Sequence, residues 1–298
     1  MSKRIAIGAA LAALSLGAAS AATAQPGPAS ALASVDAVQS PAWVDRAGIR
    51  YPLAPGAQLK ASDQVRTGAG SRLLLRTADG STVKLGENAS LVIESMRMRG
   101  ENFLEAALKV AVGAFRFTTE ALAKTRGRRE VSITVATVTA GIRGTDLWGK
   151  SSPDRQIVCL IEGEIEVTAP GESPRRLGQP MSYYTRENGV SQPIATVPAD
   201  QLREWSAETE PQPGEGLATQ TGRWKVLVKG LAFGQALEVY EELRNAGYAA
   251  EIIPAEIGNK RVYDVHLSKF ATKQDAEFAA NALKRQGRLA RYQTKVGT

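Results

Sequence analysis

Residues 104–117 read LEAALKVAVGAFRF, and their larger aliphatic side chains fall on alternate positions. Leu104, Ala106, Leu108, Val110 and Val112 share one side of an extended chain, because successive side chains of a β-strand point to opposite faces. An amphipathic helix would instead place its apolar residues three or four positions apart. The stretch therefore predicts a β-strand with one face buried.

Similar short runs extend this pattern in both directions along the chain. Turn signals separate them, such as ADG (78–80), PGES (170–173) and ENG (187–189), at a spacing typical of sandwiches, rolls and barrels. The sequence therefore predicts an all-β domain, sandwich-like or roll-like, over residues 41–205. Its clearest strands are predicted at 73–77, 81–85, 90–95, 104–117, 131–138, 156–161 and 163–169.

The C-terminal part has a different pattern, which occurs twice. Each copy has a strand and then a helical stretch that ends at a glycine, Gly247 or Gly287, which suits the left-handed position after a helix. Thr272 and Asp275 form a capping pattern at the start of the second helix. The sequence predicts an α+β domain over 222–298, in the order β-α-β-β-α-β, with both helices on one face of an antiparallel sheet. Its strands are predicted at 224–230, 250–257, 263–269 and 290–296.

Three segments outside these domains have their own composition. Residues 1–24 carry two basic residues, an apolar run and small residues before Gln25, which predicts a secretory signal and a periplasmic location. No later segment is apolar over the ~20 residues that a membrane helix needs. Residues 25–40 predict a flexible leader, and residues 206–221, rich in Pro, Gly and Glu, predict a linker.

The positive charge is concentrated in the C-terminal part. The chain has a formal charge of +7, and residues 222–298 hold 13 basic against 8 acidic residues, which gives +5. Such a charge favours polyanions. In an exported protein these are cell-wall polymers or lipid headgroups, so we expect no nucleic-acid partner.

Catalytic residue types are scarce. The chain has one histidine, His266, and one cysteine, Cys159, in different predicted domains, which excludes a cluster of histidine metal ligands. Asp146 and Glu162 could form a carboxylate pair, but thirty acidic residues make such pairs common. We therefore expect no enzyme, no cofactor and no metal.

The stretch VTAGIRGTD (138–146) contains two glycines around Arg143. A phosphate-binding loop would need G-x-x-x-x-G-K-[ST] followed by a helix, whereas strand-like residues lie on both sides of this stretch. It predicts a β corner, in which Gly141 and Gly144 permit the bend and Arg143 donates to unpaired carbonyls.

Residues 44–190 carry several motifs in a fixed order and resemble the FecR domain. That family has G-D-x-V-x-T-G, then D-G-S, then R-G-T and E-G-x-V; Ser62 stands here where the family has its first glycine. The resemblance implies an extracytoplasmic β-domain for protein contact. Signalling members carry an anti-sigma segment and a membrane helix before this domain; the sequence shows neither, so we expect no direct control of a sigma factor. The matching residues, with a structural role, are Asp63, Thr67, Gly68, Asp79, Gly80, Arg143, Gly144, Thr145, Glu162 and Gly163.

Residues 222–297 resemble the SPOR domain. WKVLVKG (224–230) is similar to the family's W-x-V-Q-V-G-S-F, and YDVHLSKF (263–270) to its Y-R-V-Q-V-G-P-F. The resemblance implies an RNP-like module that binds peptidoglycan glycan strands stripped of stem peptides, often at division sites.

Strand alternation selects the residues of this part that a ligand could contact. Leu227 and Asp264 stand where the family often has glutamine and arginine, which removes polar and cationic partners for a sugar. An ordinary solvated sheet face is therefore nearly as good an interpretation. The predicted peptidoglycan-binding residues on the open face are Lys225, Leu227, Lys229, Val262, Asp264, His266 and Ser268.

Together these patterns predict a non-enzymatic protein of the cell envelope. Its SPOR-like domain would bind denuded glycan strands, while its FecR-like domain would present a contact surface to an unidentified envelope protein. The alternative is a periplasmic regulatory sensor whose FecR-like domain contacts a signalling partner. Trp148 and Trp205 could stack on sugars, but packing against the β-domain, with residues 199–206 as a short closing helix, is the preferred interpretation.

Overall fold

The computed structural model of the protein describes residues 32–99, 103–119, 129–142 and 144–298. The helices are α1 (Ala199–Ala207), α2 (Phe233–Asn245) and α3 (Lys273–Arg285). The strands are β1 (Ala33–Gln39), β2 (Ala42–Arg46), β3 (Ile49–Pro52), β4 (Gln58–Leu59), β5 (Gln64–Thr67), β6 (Arg72–Thr77), β7 (Thr82–Leu85), β8 (Ser90–Arg99), β9 (Phe103–Thr118), β10 (Arg129–Val135), β11 (Val138–Ile142), β12 (Asp146–Ser151), β13 (Arg155–Glu162), β14 (Ile165–Thr168), β15 (Arg175–Leu177), β16 (Ser182–Glu187), β17 (Val190–Ser191), β18 (Ala195–Thr196), β19 (Leu217–Thr219), β20 (Trp224–Leu231), β21 (Ala250–Ile257), β22 (Lys260–Phe270) and β23 (Thr294–Gly297).

Strand β9 confirms the alternation of residues 104–117 up to Val110 and departs from it at Val112. Val112 is 41% exposed, whereas the four earlier residues of the apolar series are buried. The strand passes from one sheet to the other next to Gly113, which has φ +93°. A Cβ at Gly113 would lie 2.5 Å from Ala89. The alternation therefore changes phase where the strand bends.

Two sheets pack face to face over the β body. Sheet A contains β6, β7, the C-terminal part of β9, β12, β13 and β16, and sheet B contains β2, β5, β8, the N-terminal part of β9, β10, β11 and β14. Leu75 and Phe115 from sheet A meet Ile93 and Ile133 from sheet B in one core, each at most 1% exposed. Burial of this apolar surface stabilises the layers. The predicted predominance of β-strands in this part of the chain is confirmed.

The predicted flexible leader is wrong over its second half. Residues 33–39 form β1, which pairs with β6 along its length, and Val35 and Val38 are 0% and 2% exposed. Small side chains suffice there because the strand lies inside sheet A, where backbone pairing and close packing supply its stability. The composition of the whole segment obscured this strand. Residues 1–31, with the predicted signal, lie outside the described residues.

The C-terminal part has the predicted element order, β20-α2-β21-β22-α3-β23. Its strands lie in the order β23-β20-β22-β21, all antiparallel. Both helices end as predicted before Gly247 and Gly287, which have φ +84° and +78°. The Thr272 hydroxyl accepts the backbone N–H of Asp275 at 3.1 Å, which confirms the capping pattern. The last strand is shorter than predicted, because it begins only at Thr294.

The predicted linker, residues 206–221, is ordered by contacts on both sides. Within it β19 pairs with β1, and Ala218 pairs with Phe270 of β22. The buried carboxylate of Asp275 accepts the backbone N–H groups of Gly214, Gly216 and Leu217 at 2.8, 3.1 and 2.9 Å. The predicted linker is therefore an ordered part of the structure and not a flexible tether.

Candidate functional site on the C-terminal sheet

The C-terminal sheet has one face under the helices and one face away from them. Val226, Val228, Val265 and Leu267 lie in the core with the buried residues of α2 and α3. The residues between them on β20 and β22 therefore lie on the opposite face, because side chains alternate along a strand. This is the placement predicted for the seven candidate residues. We call their side of the sheet the open face.

A cross-strand row forms the centre of the open face. Leu227 lies opposite His266, with Lys295 of β23 beyond Leu227 and Glu251 of β21 beyond His266. Leu227 is only 8% exposed, so the centre of the row is apolar and the charges are at its two ends. Lys295 and Glu251 were not among the predicted site residues, although their positions on predicted strands carried the necessary signal.

His266 is held in a partly buried position. Its side chain is 18% exposed, and Nε2 lies 3.9 Å from Oδ2 of Asp264. Burial lowers the pKa of His266 below its ordinary value, and Lys225 and Lys229 act in the same direction, whereas Asp264 and Glu251 oppose it. His266 is therefore neutral at pH 7 and can serve as a hydrogen-bond donor or acceptor.

Asp264 has a structural contact of its own. Its Oδ1 accepts the backbone N–H of Gly230 at 2.9 Å, where β20 bulges between Val228 and Leu231. The carboxylate thus satisfies an amide that the bulge leaves without a strand partner. Lys229 beside it is exposed, and Val262 lies opposite Ala255 of β21.

The β body closes one end of the open face. Lys269 donates from Nζ to the carbonyl of Pro55 at 2.8 Å. Ser268 lines a cavity of about 160 Å³ together with Leu53 and Glu251. An extended ligand would therefore lie between this closed end and the β21–β22 hairpin. Lys225 lies opposite Gly297.

The first FecR-like motif anchors a corner of sheet B. Asp63 is 1% exposed. Its carboxylate accepts hydrogen bonds from Nε and Nη2 of Arg46, at 2.7 and 2.6 Å, and from the backbone N–H of Lys60 at 2.8 Å. This ion pair raises the pKa of Arg46. Ser62 has φ +69°, a left-handed conformation that glycine adopts at lower cost, which accounts for the glycine of the family pattern.

The threonine and glycine of this motif tie β5 to the loop before β8. The Thr67 hydroxyl donates to the carbonyl of Gly86 at 2.6 Å and accepts the N–H of Ala89 at 2.8 Å. A Cβ at Gly68 would lie 2.7 Å from Cγ of Pro41. Both residues therefore act in packing and not on an exposed surface.

The D-G-S motif makes the turn between β6 and β7. The Asp79 carboxylate accepts the Thr77 hydroxyl at 2.6 Å and the backbone N–H of Ser81 at 3.1 Å. Gly80 has φ +85°, which a residue with a side chain rarely adopts. This geometry explains the order of the three residues.

The last two FecR-like motifs touch each other at the corner between β11 and β12. A Cβ at Gly163 would lie 2.7 Å from Cγ2 of Thr145 and 2.8 Å from the carbonyl of Gly144. Asp146 pairs with Glu162 at a bulge. The chain turns from β11 into β12 at this point, and Gly144 has φ +74°, which confirms the predicted β corner at Gly144. Gly141 lies within β11, in register with Ser132 and Glu166, so its predicted part in the bend is wrong. Arg143 lies outside the described residues.

A second cluster covers the outer face of sheet A and was not predicted as a site. Trp148 stacks on Trp205 of α1 with ring centroids 4.9 Å apart, so the packing interpretation and the closing helix are confirmed. Cys159 is buried in the same cluster, and burial raises its pKa to about 12. Such a thiol is a poor nucleophile at neutral pH.

Two properties of the described residues bear on the class of site. No group of three or more His, Cys, Asp or Glu residues among them could hold a metal ion. No helix in the described part of the chain is long and apolar enough to cross a membrane.

The fold and the motif geometry define a β protein with a FecR-like body. Residues 63–166 match the model of the FecR protein family, a span that runs from β5 to β14 and includes every predicted FecR motif residue. No curated protein matches the chain. The SPOR resemblance of residues 222–297 stays a prediction.

Two solved structures show a distant similarity. Both are crystal structures, at 1.65 and 2.50 Å resolution, of a proposed anti-sigma factor from Parabacteroides distasonis ATCC 8503. Each is 14% identical, and the alignment covers 75% of this chain and 91% of that chain with a TM-score of 0.39. A TM-score this low does not establish a common fold.

Proposed function

We propose that this protein is a non-catalytic regulatory protein of the periplasm whose FecR-like body contacts a signalling partner. The match of residues 63–166 to the FecR family carries the proposal. The geometry of the motif residues supports it, because Asp63, Thr67 and Thr145 are buried and organise corners of the β body. The motif residues thus stabilise the β body, and other residues on its surface would contact the signalling partner.

The chemistry of the reactive side chains favours contact over catalysis. Cys159 is buried with a raised pKa. The carboxylate of Asp146 is bound by both Nε and Nη2 of Arg116, at 2.9 and 2.7 Å. Cys159 and Asp146 are therefore engaged in packing and in an ion pair, and this favours a structural role for both over a catalytic one.

Transcript profiling of the native host tests the regulatory function. We expect deletion of the gene to change the transcripts of a defined set of genes, and the wild-type chain to restore them. A variant altered only on the open face, Lys225→Ala with Lys229→Ala, should restore them as well, because the regulatory contact lies on the β body. An unchanged transcript profile in the deletion strain would contradict the proposal.

Binding of peptidoglycan by the open face is a second candidate function. The element order of the C-terminal part and the position of His266 beside Lys225 and Lys229 favour it, since neutral imidazole and lysines can bond sugar hydroxyls. The full chain should sediment more strongly with sacculi after amidase removes the stem peptides. His266→Ala should weaken this sedimentation, while Glu277→Ala, on the exposed side of α3, should not. Equal sedimentation before and after amidase treatment would refute glycan binding.

A further inference from the structure

The outer face of sheet A carries a row of basic and aromatic side chains. Lys84, Arg116, Trp148, Cys159 and Tyr183 are cross-strand neighbours on β7, β9, β12, β13 and β16. Their side chains point away from the main core, because the residues on either side of them in each strand face it. We call these five residues the outer row. Lys84 and Arg116 form its basic end, and Trp148 to Tyr183 form its aromatic end.

A segment of the chain itself lies on the outer row. Trp205 stacks on Trp148 and meets Tyr183 edge-on at 5.6 Å. Glu210 pairs with Nζ of Lys84 at 2.6 Å and with Nη1 of Arg116 at 3.0 Å. We call residues 199–210 the cap segment. It presents a tryptophan to the aromatic end and a carboxylate to the basic end.

A further ion pair lies beside the row. Glu208 of the cap segment pairs with Nζ of Lys150 at 2.7 Å. The side chains of Glu208 and Glu210 are 36% and 35% exposed, so each pair contributes modestly and is screened by salt. The ion pairs of the two glutamates are thus weak, whereas the Trp205 stack and Thr209, which is 0% exposed, hold the cap segment by packing.

On the sheet side of this contact the side chains have bonding partners within the sheet, whereas helix α1 on the cap side has few local contacts that stabilise it. Arg116 is oriented by its two bonds to Asp146, and Trp148 is fully buried. Helix α1 buries none of its nine residues fully and has no side-chain N-cap, and a helix this short is marginal alone. A cavity of about 450 Å³ opens between α1 and the chain after it, lined by Met181, Leu202 and Gln212 among others.

The chain beyond the cap segment is anchored independently. The backbone N–H of Gln212 donates to Oε1 of the buried Gln39 at 2.7 Å, and Asp275 holds residues 214–217. The anchors of the chain after residue 210 are therefore separate from the contacts that residues 199–210 make with the sheet.

We infer that the outer row is a binding surface for an acidic segment of a partner protein with the pattern Trp-x-x-Glu-x-Glu, and that the chain's own residues 205–210 occupy this surface at rest. The inference rests on the proposed function, because it names the surface of the β body that a signalling partner contacts. The internal segment competes at the millimolar effective concentration that a short tether gives. A partner segment binds when its concentration and affinity match those of the internal segment, or when the contacts of the cap segment are weakened.

A weakened cap tests this inference. In the full chain with Glu208→Gln and Glu210→Gln, a fluorescent peptide of residues 203–212 (REWSAETEPQ) should bind about tenfold more tightly than to wild type, equivalent to ~1.4 kcal/mol. A peptide with Gln at positions 208 and 210 should gain nothing. Glu204→Gln, on the exposed side of α1, is the matched control and should behave as wild type. Fluorescence anisotropy measures the binding.

Cys159 supplies a second readout, because it lies in the outer row beneath the cap. Its reaction with an aromatic disulfide reagent should be slow in wild type, faster in the double variant, and slow again when the acidic peptide is added. Faster reaction without peptide binding, or equal binding of the Gln peptide, would overturn the inference. Either result leaves the transcript experiment unaffected, so the two proposals fail separately.

Discussion

Asp275→Ala is expected to lower the free energy of unfolding by about 3–5 kcal/mol. The Asp275 side chain is 0% exposed, and one of its oxygens accepts three backbone N–H groups of residues 214–217. The other accepts the backbone N–H and hydroxyl of Thr272 at 3.1 and 2.6 Å. Alanine would leave these donors buried without an acceptor, and a buried unsatisfied donor costs about 1–3 kcal/mol.

Urea unfolding of the full chain measures this loss. Glu277→Ala is the matched control on the same helix, because Glu277 is exposed and pairs with Lys273 four residues earlier, a contact worth about 0.3–0.5 kcal/mol. Asp275→Asn, which keeps one acceptor oxygen, should fall between the two. If Asp275→Ala were no worse than the control, the carboxylate would not be what orders residues 206–221.

Local patterns in the sequence were sufficient for the elements whose stability is local in origin. The alternation at 104–117 predicted most of β9, and the repeated strand-helix-glycine pattern predicted the C-terminal order down to Gly247 and Gly287. These signals lie within a single strand or helix. The change of phase at Val112 was invisible, because it depends on the approach of Ala89 to Gly113.

Segments ordered by distant partners could not be predicted in the same way. Residues 206–221 have the composition of a linker, yet Gln39 binds Gln212 from 173 positions away. The strand at 33–39 likewise depends on β6. A polar segment rich in Gly and Pro becomes ordered when buried groups elsewhere in the chain form hydrogen bonds with its backbone N–H and C=O groups. The composition of the segment does not indicate those partners.

The candidate site likewise has features that local patterns predicted and features that depend on distant residues. Alternation placed Leu227 and His266 on one face, and the structure has them directly opposite. The closure of that face beside Ser268 depends on the β body, through Lys269 and Pro55, and no local pattern indicates it. The outer row was missed because its five residues come from five strands.

Asp63→Ala is expected to lower the free energy of unfolding by about 2–4 kcal/mol. Asp63 bonds Arg46 through both oxygens and also accepts the N–H of Lys60. Its loss leaves Nε of Arg46 and the amide of Lys60 without this acceptor, while Nη2 of Arg46 keeps the carbonyl of Gln58 at 2.8 Å. The value lies below that of a fully buried pair, because the Arg46 side chain is 36% exposed and water reaches it. Thermal or urea unfolding of the full chain measures the change.

Asp45→Ala is the comparison variant, because the carboxylate of Asp45 also forms ion pairs with arginine, in its case with two. The Asp45 side chain is 22% exposed, its partners Arg50 and Arg66 are 55% and 41% exposed, and exposed pairs contribute about 0–1 kcal/mol. The Asp63 side chain is 2% exposed and also accepts the backbone N–H of Lys60, so the difference between the variants measures burial together with this backbone bond. A loss at Asp63 no larger than at Asp45 would contradict the structural role of the motif aspartate.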